Sequence, residues 1–410
     1  MSLNKLWTLA WRDLGRNRRR TLLTMLAVAL GLALLMSMNG FIAGVTEETI
    51  EHSIRLRTGH VQLRAPSYEE DTLSLKATDL LENPAALAAR AAALPDVQAA
   101  TPVLWANAVL VTGDDSVGVQ LFGIDPASPV HASIRSATVG GDFLAPDDRN
   151  GIVIGKALAD SLGIAVGQNV LLTVIDADDR PHDGVFTVRG LFATGIPSYD
   201  QSAALLPLAA AQGFTAAGRH ASAIVVLLRD QNAADQVAAA LRSPETATLT
   251  WRDLNHEFLQ TMQVAAGFYL VLDAIVILIV AVILANTLLM AVFERIREIG
   301  IFGALGMRRG MVLRLFLLEA GLLGLVGIAV GSALGTAVVG YLSTRGIPIG
   351  DRTASVGGST LALGTTVHAH FAPGTFAALA VATLVIVVLA ALYPAWYAAR
   401  LEPVVALRAE

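Results

Sequence analysis

The sequence predicts an α-helical membrane protein with four transmembrane helices and a large extracytoplasmic α+β domain between helices 1 and 2. Three observations carry this prediction. The chain is strongly apolar, with 54% hydrophobic residues, 15% charged residues and a mean hydropathy of +0.59. It contains four long runs without any charge, and basic residues flank these runs on one side. The 211 residues between the first two spans alternate between strand-like and helix-like patterns.

Each charge-free run is long enough to cross a bilayer, because a helix spans the ~30 Å hydrocarbon core with about 20 residues. The runs cover residues 21–46, 274–293, 320–344 and 371–399. Apolar character begins before the second run and basic residues precede the third, so we place the transmembrane helices at 21–46, 258–293, 312–344 and 371–399. The first run could instead be a cleaved signal peptide. Its length and the lack of an A-x-A-like site favour a signal anchor.

Basic residues predict the orientation, because they accumulate on the cytoplasmic side of membrane proteins. They precede span 1, lie between spans 2 and 3, and follow span 4: Lys5, Arg12, Arg16, Arg18, Arg19 and Arg20; Arg295, Arg297, Arg308, Arg309 and Arg314; Arg400 and Arg408. Both termini are therefore expected in the cytoplasm and residues 47–257 outside. That outer region holds 14 Lys and Arg against 26 Asp and Glu. Its acidity argues against a nucleic-acid partner.

Residues 1–20 are predicted to form an interfacial elbow helix on the cytoplasmic face, with a simple cytoplasmic extension of span 1 as the alternative. Apolar side chains recur there at helical spacing, with two tryptophans suited to the headgroup level: Leu3, Trp7, Ala10, Trp11 and Leu14. The remaining segments are assigned to a cytoplasmic coupling helix at 294–311, a periplasmic loop at 345–370 and a cytoplasmic tail at 400–410.

The outer region, residues 47–257, is predicted to be a folded α+β domain. A strand–helix–strand pattern occurs twice, once before residue 104 and once after residue 222, as a weak internal repeat. Between the two copies the sequence reads as two β-hairpins with Gly- and Asp-containing turns. We therefore expect an inserted β subdomain at about 104–215.

The sequence offers no persuasive catalytic or metal-binding pattern. GIVIGKALA at 151–159 departs from the spacing of a phosphate-binding loop, and no G-x-S-x-G occurs. His368 and His370 form only an isolated H-x-H, and Asp176 belongs to an acidic hairpin turn. The absence of cysteine excludes disulfides and thiolate metal sites. We expect a non-enzyme with no metal and no cofactor in this chain.

Two features within the spans leave alternatives open. Asp273 lies in the apolar part of span 2, where a carboxylate is a functional candidate. Because 20 apolar residues follow it, it could equally lie at the outer interface. Span 3 carries a double G-x-x-x-G, which allows close helix–helix approach in lipid. Its residues Gly327, Gly331 and Gly335 could serve packing within the chain or contact between two permeases.

The segment ERIREIGIFGALGMRRG, residues 294–310, forms a charged, glycine-rich amphipathic helix between spans 2 and 3. Glu294 can pair with Arg297, and Arg295 with Glu298, at i,i+3 spacing. One side of the predicted helix carries large apolar side chains and another is bare, which suits a protein partner: Ile296, Ile299 and Phe302; Gly300, Gly303 and Gly306.

This segment resembles the coupling segment of MacB/FtsX-type permeases, the membrane subunits of a class of ABC transporters. Three further stretches resemble the elbow and first span, the outer-domain signature and the C-terminal signature of that family: RDLGRNRRRTLLTMLAVALG, GIVIGKALADSLGIAVGQNVLL and YPAWYAARLEPVVAL. The layout of four spans with a large domain after span 1 also matches. The resemblance therefore covers most of the chain.

The resemblance implies that a separate ABC ATPase, in two copies, binds ATP and Mg and docks on the segment between spans 2 and 3. The permease would pair with itself or with a related permease, and ATP-driven closure would move the outer domains. Carried over to this sequence, the contact residues are Glu294, Arg295, Arg297, Glu298, Gly300, Ala304 and Gly306.

Within the family, SMNGF at 37–41 resembles a motif of the lipoprotein-releasing LolC and LolE permeases. This implies an inner-membrane location, an acylated lipoprotein substrate and a possible periplasmic carrier. Residues expected to line the substrate cavity are Met36, Met38, Asn39, Phe41, Met262, Phe268, Tyr269 and Leu272. MacB-like export of peptides or amphiphiles and FtsX-like regulation of a cell-wall hydrolase remain the alternatives.

Overall fold

The computed structural model describes residues 18–69, 72–113, 115–349 and 364–402. The predicted elbow helix falls almost entirely at residues 1–17, outside the described residues. Most of the predicted tail and part of the loop between the last two spans also lie outside them. The chain folds into two compact units. We call residues 18–45, 262–347 and 368–402 the helical unit, and residues 46–261 with 348–349 and 364–367 the sheet unit.

Twelve α-helices occur among the described residues. They are α1 Arg18–Ser53, α2 Pro84–Ala92, α3 Ala132–Ser136, α4 Lys156–Leu162, α5 Pro197–Asp200, α6 Leu208–Phe214, α7 Ala234–Leu241, α8 Trp251–Leu254, α9 His256–Glu294, α10 Ile296–Ala304, α11 Arg309–Arg345 and α12 Pro373–Arg400. Helix α1 continues into a π-helical turn at Ile54–Thr58.

Twelve strands occur in the same residues. They are β1 Val61–Arg64, β2 Val97–Thr112, β3 Asp115–Ile124, β4 Thr138–Gly141, β5 Gly151–Gly155, β6 Asn169–Ile175, β7 Pro181–Phe192, β8 Ala203–Pro207, β9 Ala223–Leu228, β10 Ala247–Thr250, β11 Ile347–Pro348 and β12 Thr366–Val367.

Among the described residues, four helices, α1, α9, α11 and α12, are long and apolar enough to cross a membrane, in agreement with the four predicted spans. Their most apolar windows have mean hydropathies of 2.2, 3.0, 2.2 and 2.7. The helices extend beyond the charge-free runs. A charged residue marks where the chain leaves the hydrocarbon core, but the helix can continue past that residue. Pro394 lies inside α12, where it lacks an N–H for the helical hydrogen bond of that turn.

The helical unit is held by apolar contacts between all four long helices. Val28 of α1, Val280 of α9, Ala320 of α11 and Val387 of α12 share one buried cluster. Methyl-sized and branched side chains fill this cluster, so the helices approach closely. Van der Waals packing of this kind is the main force between helices in lipid, where the hydrophobic effect is weak.

The glycine stripe of α11 lies against α1 of the same chain. An ideal Cβ at Gly331 would be 2.7 Å from the Ala29 carbonyl oxygen, and one at Gly327 would be 2.9 Å from Val28 Cβ. At Gly335 the neighbour would be Met36 Cβ, also at 2.9 Å. Only glycine fits at these separations. In this structure the stripe serves packing within the chain, the first of the two alternatives.

The sheet unit contains two interlocked β–α–β units. Strands β1 and β2 flank α2, and β9 and β10 flank α7. The four strands are antiparallel neighbours in the order β10-β1-β9-β2, with Val61 opposite both Thr250 and Val226. This is the split β–α–β arrangement of ferredoxin-like folds, and it agrees with the repeat in the sequence.

Strand β2 joins this core to the rest of the sheet and runs across residue 104, where the sequence predicts that an inserted β subdomain begins. The sequence was divided at residue 104 into an extended segment and an inserted β subdomain. The structure has one strand of 16 residues there, paired with β9 through its first half and with β3 and β6 through its second. The resulting sheet has ten strands and is continuous. Strands of that length are unusual, so local patterning alone favoured a break.

Among the side chains of the sheet unit that have a buried polar atom with no hydrogen-bond partner in the described residues, two have strongly shifted pKa values. They are His131, through Nε2, and Tyr199, through its hydroxyl. Burial lowers the pKa of His131 to about 4, with a smaller contribution from the Arg135 guanidinium. Burial also raises the pKa of Tyr199. Both groups are therefore neutral in the folded protein at neutral pH.

His131 should make the protein less stable in acid. The unfolded chain takes up a proton near pH 6.5, whereas the folded chain resists it until about pH 4. The stability that neutral, buried His131 provides is therefore fully present above pH 6.5, and it is lost as the pH falls toward 4. Between pH 7 and 5 we expect a loss of about 2 kcal/mol from this residue. Urea unfolding of the full chain and of a His131→Leu variant at both pH values measures it, and equal pH dependence in the two proteins would contradict it.

Candidate functional site

Helix α10, Ile296–Ala304, follows α9 and precedes α11, within residues 294–311 that the sequence predicts to be a coupling helix. Arg295 leaves the helical conformation (φ −114°, ψ 17°), so α9 ends and α10 begins as a separate helix. Gly306 ends it with φ +86°, a left-handed conformation that favours glycine. The Met307 amide donates to the Phe302 carbonyl oxygen and the Gly306 amide to that of Gly303, each at 3.0 Å. This is a Schellman cap, and it fixes where the helix stops.

The two faces of α10 differ in burial. Ile299 and Gly300 are buried, and Ile299 packs in a cluster with residues of α9, α11 and α12. On the opposite face Arg297, Ile301 and Ala304 are exposed. At its C-terminal end Leu305 is 80% exposed, a large value for a leucine and the largest among the exposed large hydrophobic side chains of the described residues. The helix therefore presents an apolar tip beside an exposed cation.

Two ion pairs tie the coupling segment to other helices. Arg20 of α1 lies 2.7 Å from Glu294 at the end of α9. Arg295 lies 3.8 Å from Glu319 of α11, and both side chains are buried, at 7% and 5% exposure. The sequence suggested pairs within the segment, and it could not reveal these longer-range partners.

The predicted ATPase-contact residues accordingly separate into three groups. Glu294, Arg297, Ala304 and Gly306 are exposed, Glu298 is half-buried, and Arg295 and Gly300 are buried. The structure thus buries Arg295 and Gly300 within the helical unit. Leu305 was missed by the sequence reasoning. The sequence nevertheless contains a sign of its exposure. Leu305 directly precedes the capping glycine and lies outside the apolar stripe of Ile296, Ile299 and Phe302.

At the other end of the spans, Asn39 of α1 meets Asp273 of α9. The Asn39 amide nitrogen donates to both carboxylate oxygens, at 3.2 and 3.1 Å. The same nitrogen donates to the Leu35 carbonyl oxygen at 3.0 Å. A four-residue backward bond of this kind fixes the side chain against its own helix. Asp273, whose role the sequence left open, is therefore held by a neighbouring span.

The predicted cavity residues lie around this contact in different settings. Met38, Asn39 and Phe41 of α1 are half-buried, as are Met262, Tyr269 and Leu272 of α9. Met262, Tyr269 and Asp273 are spaced by seven and four residues and so share one face of α9. Phe268 is 63% exposed and lies off that face.

Met36 occupies a different position from the one expected of a cavity residue. It is 2% exposed and packs against Gly335 of α11. Its side chain contributes to the contact between α1 and α11 and is not open to lipid. The remaining seven predicted residues keep at least part of their surface accessible.

The site contains no arrangement suited to a metal ion. Among the residues that the structure describes, no group of three His, Cys, Asp or Glu side chains could hold one. The described site thus consists of an exposed helix end at α10 and a half-buried face on α1 and α9 with one polar pair.

Four apolar helices of spanning length, a short capped helix between two of them and a sheet unit are the features of an integral membrane protein. Family models identify it further. The MacB-like periplasmic core domain matches residues 21–243, and the FtsX-like permease C-terminal domain matches residues 270–403. The chain belongs to the MacB/FtsX-type permeases, and the resemblance noted in its motifs is confirmed.

The similar proteins include a lipoprotein-releasing permease and two exporters that are named as ATP-binding/permease proteins. The "Lipoprotein-releasing system transmembrane protein LolC" of Xylella fastidiosa, strain Temecula1, is 25% identical over 94% of this chain and 93% of its own length. The "Macrolide export ATP-binding/permease protein MacB" of Shewanella sp., strain ANA-3, is 27% identical over 97% of this chain and 59% of its own length. The "Pyoverdine export ATP-binding/permease protein PvdT" of Pseudomonas putida, strain KT2440, is 27% identical over 98% and 59%. The chain is an ABC transporter permease, a class that works with an ATPase subunit.

Proposed function

We propose that this permease extracts acylated lipoproteins from the inner membrane for delivery to the outer membrane, using ATP hydrolysed by a separate ATPase. The observation that carries the proposal is the relation to LolC, which aligns over 93% of that protein's length. The two exporters named above align over only 59% of theirs. The half-buried face around Met38, Phe41 and Met262 supports it, because methionine and aromatic side chains adapt to lipid tails.

On the cytoplasmic side, the exposed end of α10 docks into the ATPase. Leu305 supplies an apolar anchor, and Arg297 supplies a charge that an acidic groove would complement. The buried Ile299 and the Arg295–Glu319 pair join α10 to the spans. Movement of the exposed end of α10 is therefore transmitted to α9 and α11, which move as rigid helices. Two ATPases and two permeases, identical or related, form the working complex.

The docking prediction is tested by co-purification from native membranes in mild detergent. Leu305→Asp should lower recovery of the ATPase by about tenfold or more, because it removes the anchor and introduces a desolvated charge. Arg297→Glu should weaken recovery less. Arg149→Glu, an exposed arginine of the sheet unit, is the matched control and should leave recovery unchanged. Full recovery with Leu305→Asp would contradict the assignment of α10.

The cargo is tested separately by depletion in the native cell. Lipoprotein release predicts that acylated proteins accumulate in the inner membrane while septation proceeds normally. Loss of export of a peptide or amphiphile, with lipoproteins correctly sorted, would favour the MacB-like alternative, which the 27% identity to MacB and PvdT supports. Defective septation would favour FtsX-like regulation of a wall hydrolase.

A further inference from the structure

The chain that leads into α12, residues 364–370, is bonded within the sheet unit and, a few residues later, within the helical unit. The Thr365 amide donates to the Gly195 carbonyl oxygen of the sheet unit at 2.9 Å. The His370 amide donates to the Gly40 carbonyl oxygen of α1 at 2.8 Å. The stretch from Thr365 to His370 covers at most about 18 Å when fully extended. The two units are therefore joined here by a short connection that is bonded at both ends.

The helical end of this connection packs directly on the backbone of α1. The His368 carbonyl oxygen lies against Gly44, where a Cβ would overlap it. A Cβ at Gly40 would lie 3.2 Å from the His370 carbonyl oxygen. The two glycines are four residues apart and so share one face of α1, which lets the segment approach closely. Gly40 belongs to the SMNGF motif, and one residue of that motif thus serves this contact.

Thr365 also holds the end of the loop that leaves α11. Its carbonyl oxygen accepts from the Ile349 amide at 2.9 Å, beside the short pairing of β11 with β12. Helix α11 ends at Arg345. The stretch from Arg345 to Ile349 covers at most about 14 Å when fully extended. One residue bonded to Gly195 therefore ties the sheet unit to both α11 and α12 through short lengths of chain.

The turn at Gly195 is held by a buried carboxylate. Asp200 of α5 is 6% exposed. It accepts from the Thr194 amide at 2.9 Å, the Thr194 hydroxyl at 2.7 Å and the Gly195 amide at 3.1 Å. The Asp200 carbonyl oxygen lies against Gly155 of β5, where a Cβ would overlap it. Gly155 belongs to the stretch GIVIGKALA, so one glycine of this stretch lets β5 support the turn that receives Thr365.

We propose that the Thr365–Gly195 contact is an anchor through which α11 and α12 move the sheet unit, in addition to α1 and α9. Helices α1 and α9 enter the sheet unit as continuous helices, which end at Ser53 and begin at His256. Helices α11 and α12 are attached to it through the bonded ends of the loop between them. The inference rests on the proposed function for its source of movement, the ATPase.

This anchor requires a connection of fixed length. Hydrogen-bonded contacts and rigid elements carry coupling between distant sites. A slack chain between them absorbs a displacement and transfers no force. The bonds of Thr365 and the bonds of His370 leave little chain free between the two units. Added length at this point should therefore uncouple α12 from the sheet unit while each unit stays folded.

The first test inserts two glycines between Val367 and His368, which keeps the bonds of both ends and adds up to about 7 Å of slack. The measured quantity is the distance distribution between spin labels at Arg149→Cys, in the sheet unit, and Tyr341→Cys, in α11. It is recorded in the complex with a cysteine-free ATPase, with and without ADP and vanadate. The permease itself contains no cysteine, so its labels are unique. We expect the nucleotide-dependent change to fall by about half or more with the insertion.

The second test changes the anchor and keeps the length of the chain. Proline lacks the N–H that Thr365 donates to Gly195, whereas alanine retains it. Thr365→Pro should therefore reduce the distance change as the insertion does, and Thr365→Ala should leave it unchanged. Two glycines between Gly218 and Arg219, in an exposed loop of the sheet unit, control for the insertion itself and should also leave it unchanged.

Three outcomes would overturn the anchor. The first is a full distance change in both the Val367–His368 insertion and Thr365→Pro. The second is an equal loss in the two insertion variants, which would make the effect one of general destabilisation. The third is a wild-type complex whose distance distribution does not respond to ADP and vanadate.

Release of a synthetic diacylated lipopeptide from vesicles, measured on the same complexes, separates this inference from the proposed function. A wild-type complex that shows the distance change but releases no lipopeptide would refute lipoprotein release and leave the anchor intact. Wild type and Thr365→Pro that both move and both release it would refute the anchor alone. Recovery of the ATPase should be equal in all variants, because none of them changes α10.

Discussion

Substituting Gly331→Leu is expected to disrupt the helical unit more than any other single change of a small residue discussed here. Even the first added carbon would lie 2.7 Å from the Ala29 carbonyl oxygen and 2.9 Å from Ala29 Cα. Both are backbone atoms, so no rotamer change relieves the clash, and α1 and α11 have to separate. Overpacking of this kind costs about 3 kcal/mol or more when backbones must move. The measurement is the midpoint of thermal unfolding in detergent, together with the yield of monodisperse protein.

Gly321→Leu is the matched control, because it makes the same change in the same helix. An ideal Cβ at Gly321 has no neighbour within 4 Å. We expect its effect to stay within about 0.5 kcal/mol, as for other substitutions that create no clash. If the two variants were equally stable, the close contact between α1 and α11 would be wrong. If Gly331→Leu folded normally but failed to form dimers, the glycine stripe would belong to an interface between permeases.

Glu319→Leu is expected to have the second large effect, because it leaves the Arg295 guanidinium buried without its carboxylate. Both side chains are at most 7% exposed and 3.8 Å apart. Removing one member of a buried ion pair typically costs about 3–5 kcal/mol, since the remaining charge loses its compensation. Thermal unfolding in detergent measures this cost. ATPase activity of the assembled complex, measured on the same preparations, reports whether coupling survives.

The double variant Arg295→Met, Glu319→Leu provides the control. It replaces the pair by apolar side chains of similar length and should recover most of the lost stability, because a buried pair is often no more stable than its apolar replacement. Two outcomes are informative. A stable but uncoupled double variant would show that the pair transmits motion from α10. Stability unchanged in Glu319→Leu alone would show that Glu319 is not compensating a buried charge.

The spans were predictable because their signal is local. A run without charge marks contact with hydrocarbon, and four such runs gave the four long helices. Helix ends were less predictable. Helix α1 continues to Ser53 and α9 begins at His256, each past the edge of its apolar run. Outside the hydrocarbon core a helix is not needed to satisfy the backbone hydrogen bonds, but charged residues in water can still form one.

The continuous sheet was only partly predictable. The two β–α–β units could be found because each is contiguous in sequence and repeats a simple pattern. The sequence pattern predicts a boundary at residue 104 within β2, and the pairing partner of β2 changes there from β9 to β3, with β6 on its other side further along. The pairings of β2 with β6 and with β9 join residues 60–66 and 120–131 positions apart in the chain, respectively. Those contacts leave no mark in the strand's own periodicity.

For the candidate site, the sequence identified the segment but not the role of each side chain within it. Arg295 and Arg297 look equivalent in the sequence, yet one is buried against Glu319 and the other is exposed. The difference arises from the break at Arg295, which starts a new helix in a new direction. The same limit applies to Met36 and Met38, since a shift of two residues on a helix moves a side chain to another face.

The independent caps of α10 have a consequence for how such transporters diversify. Because the helix begins and ends through its own backbone geometry and buries only one face, its exposed residues carry little of the stability of the spans. Substitutions at these exposed positions can therefore complement changes in the surface of a partner. If α10 binds the ATPase as proposed, exchange of a few exposed positions around Leu305 would redirect the permease to a different ATPase, and two related systems in one cell would keep separate partners without any change in their membrane cores.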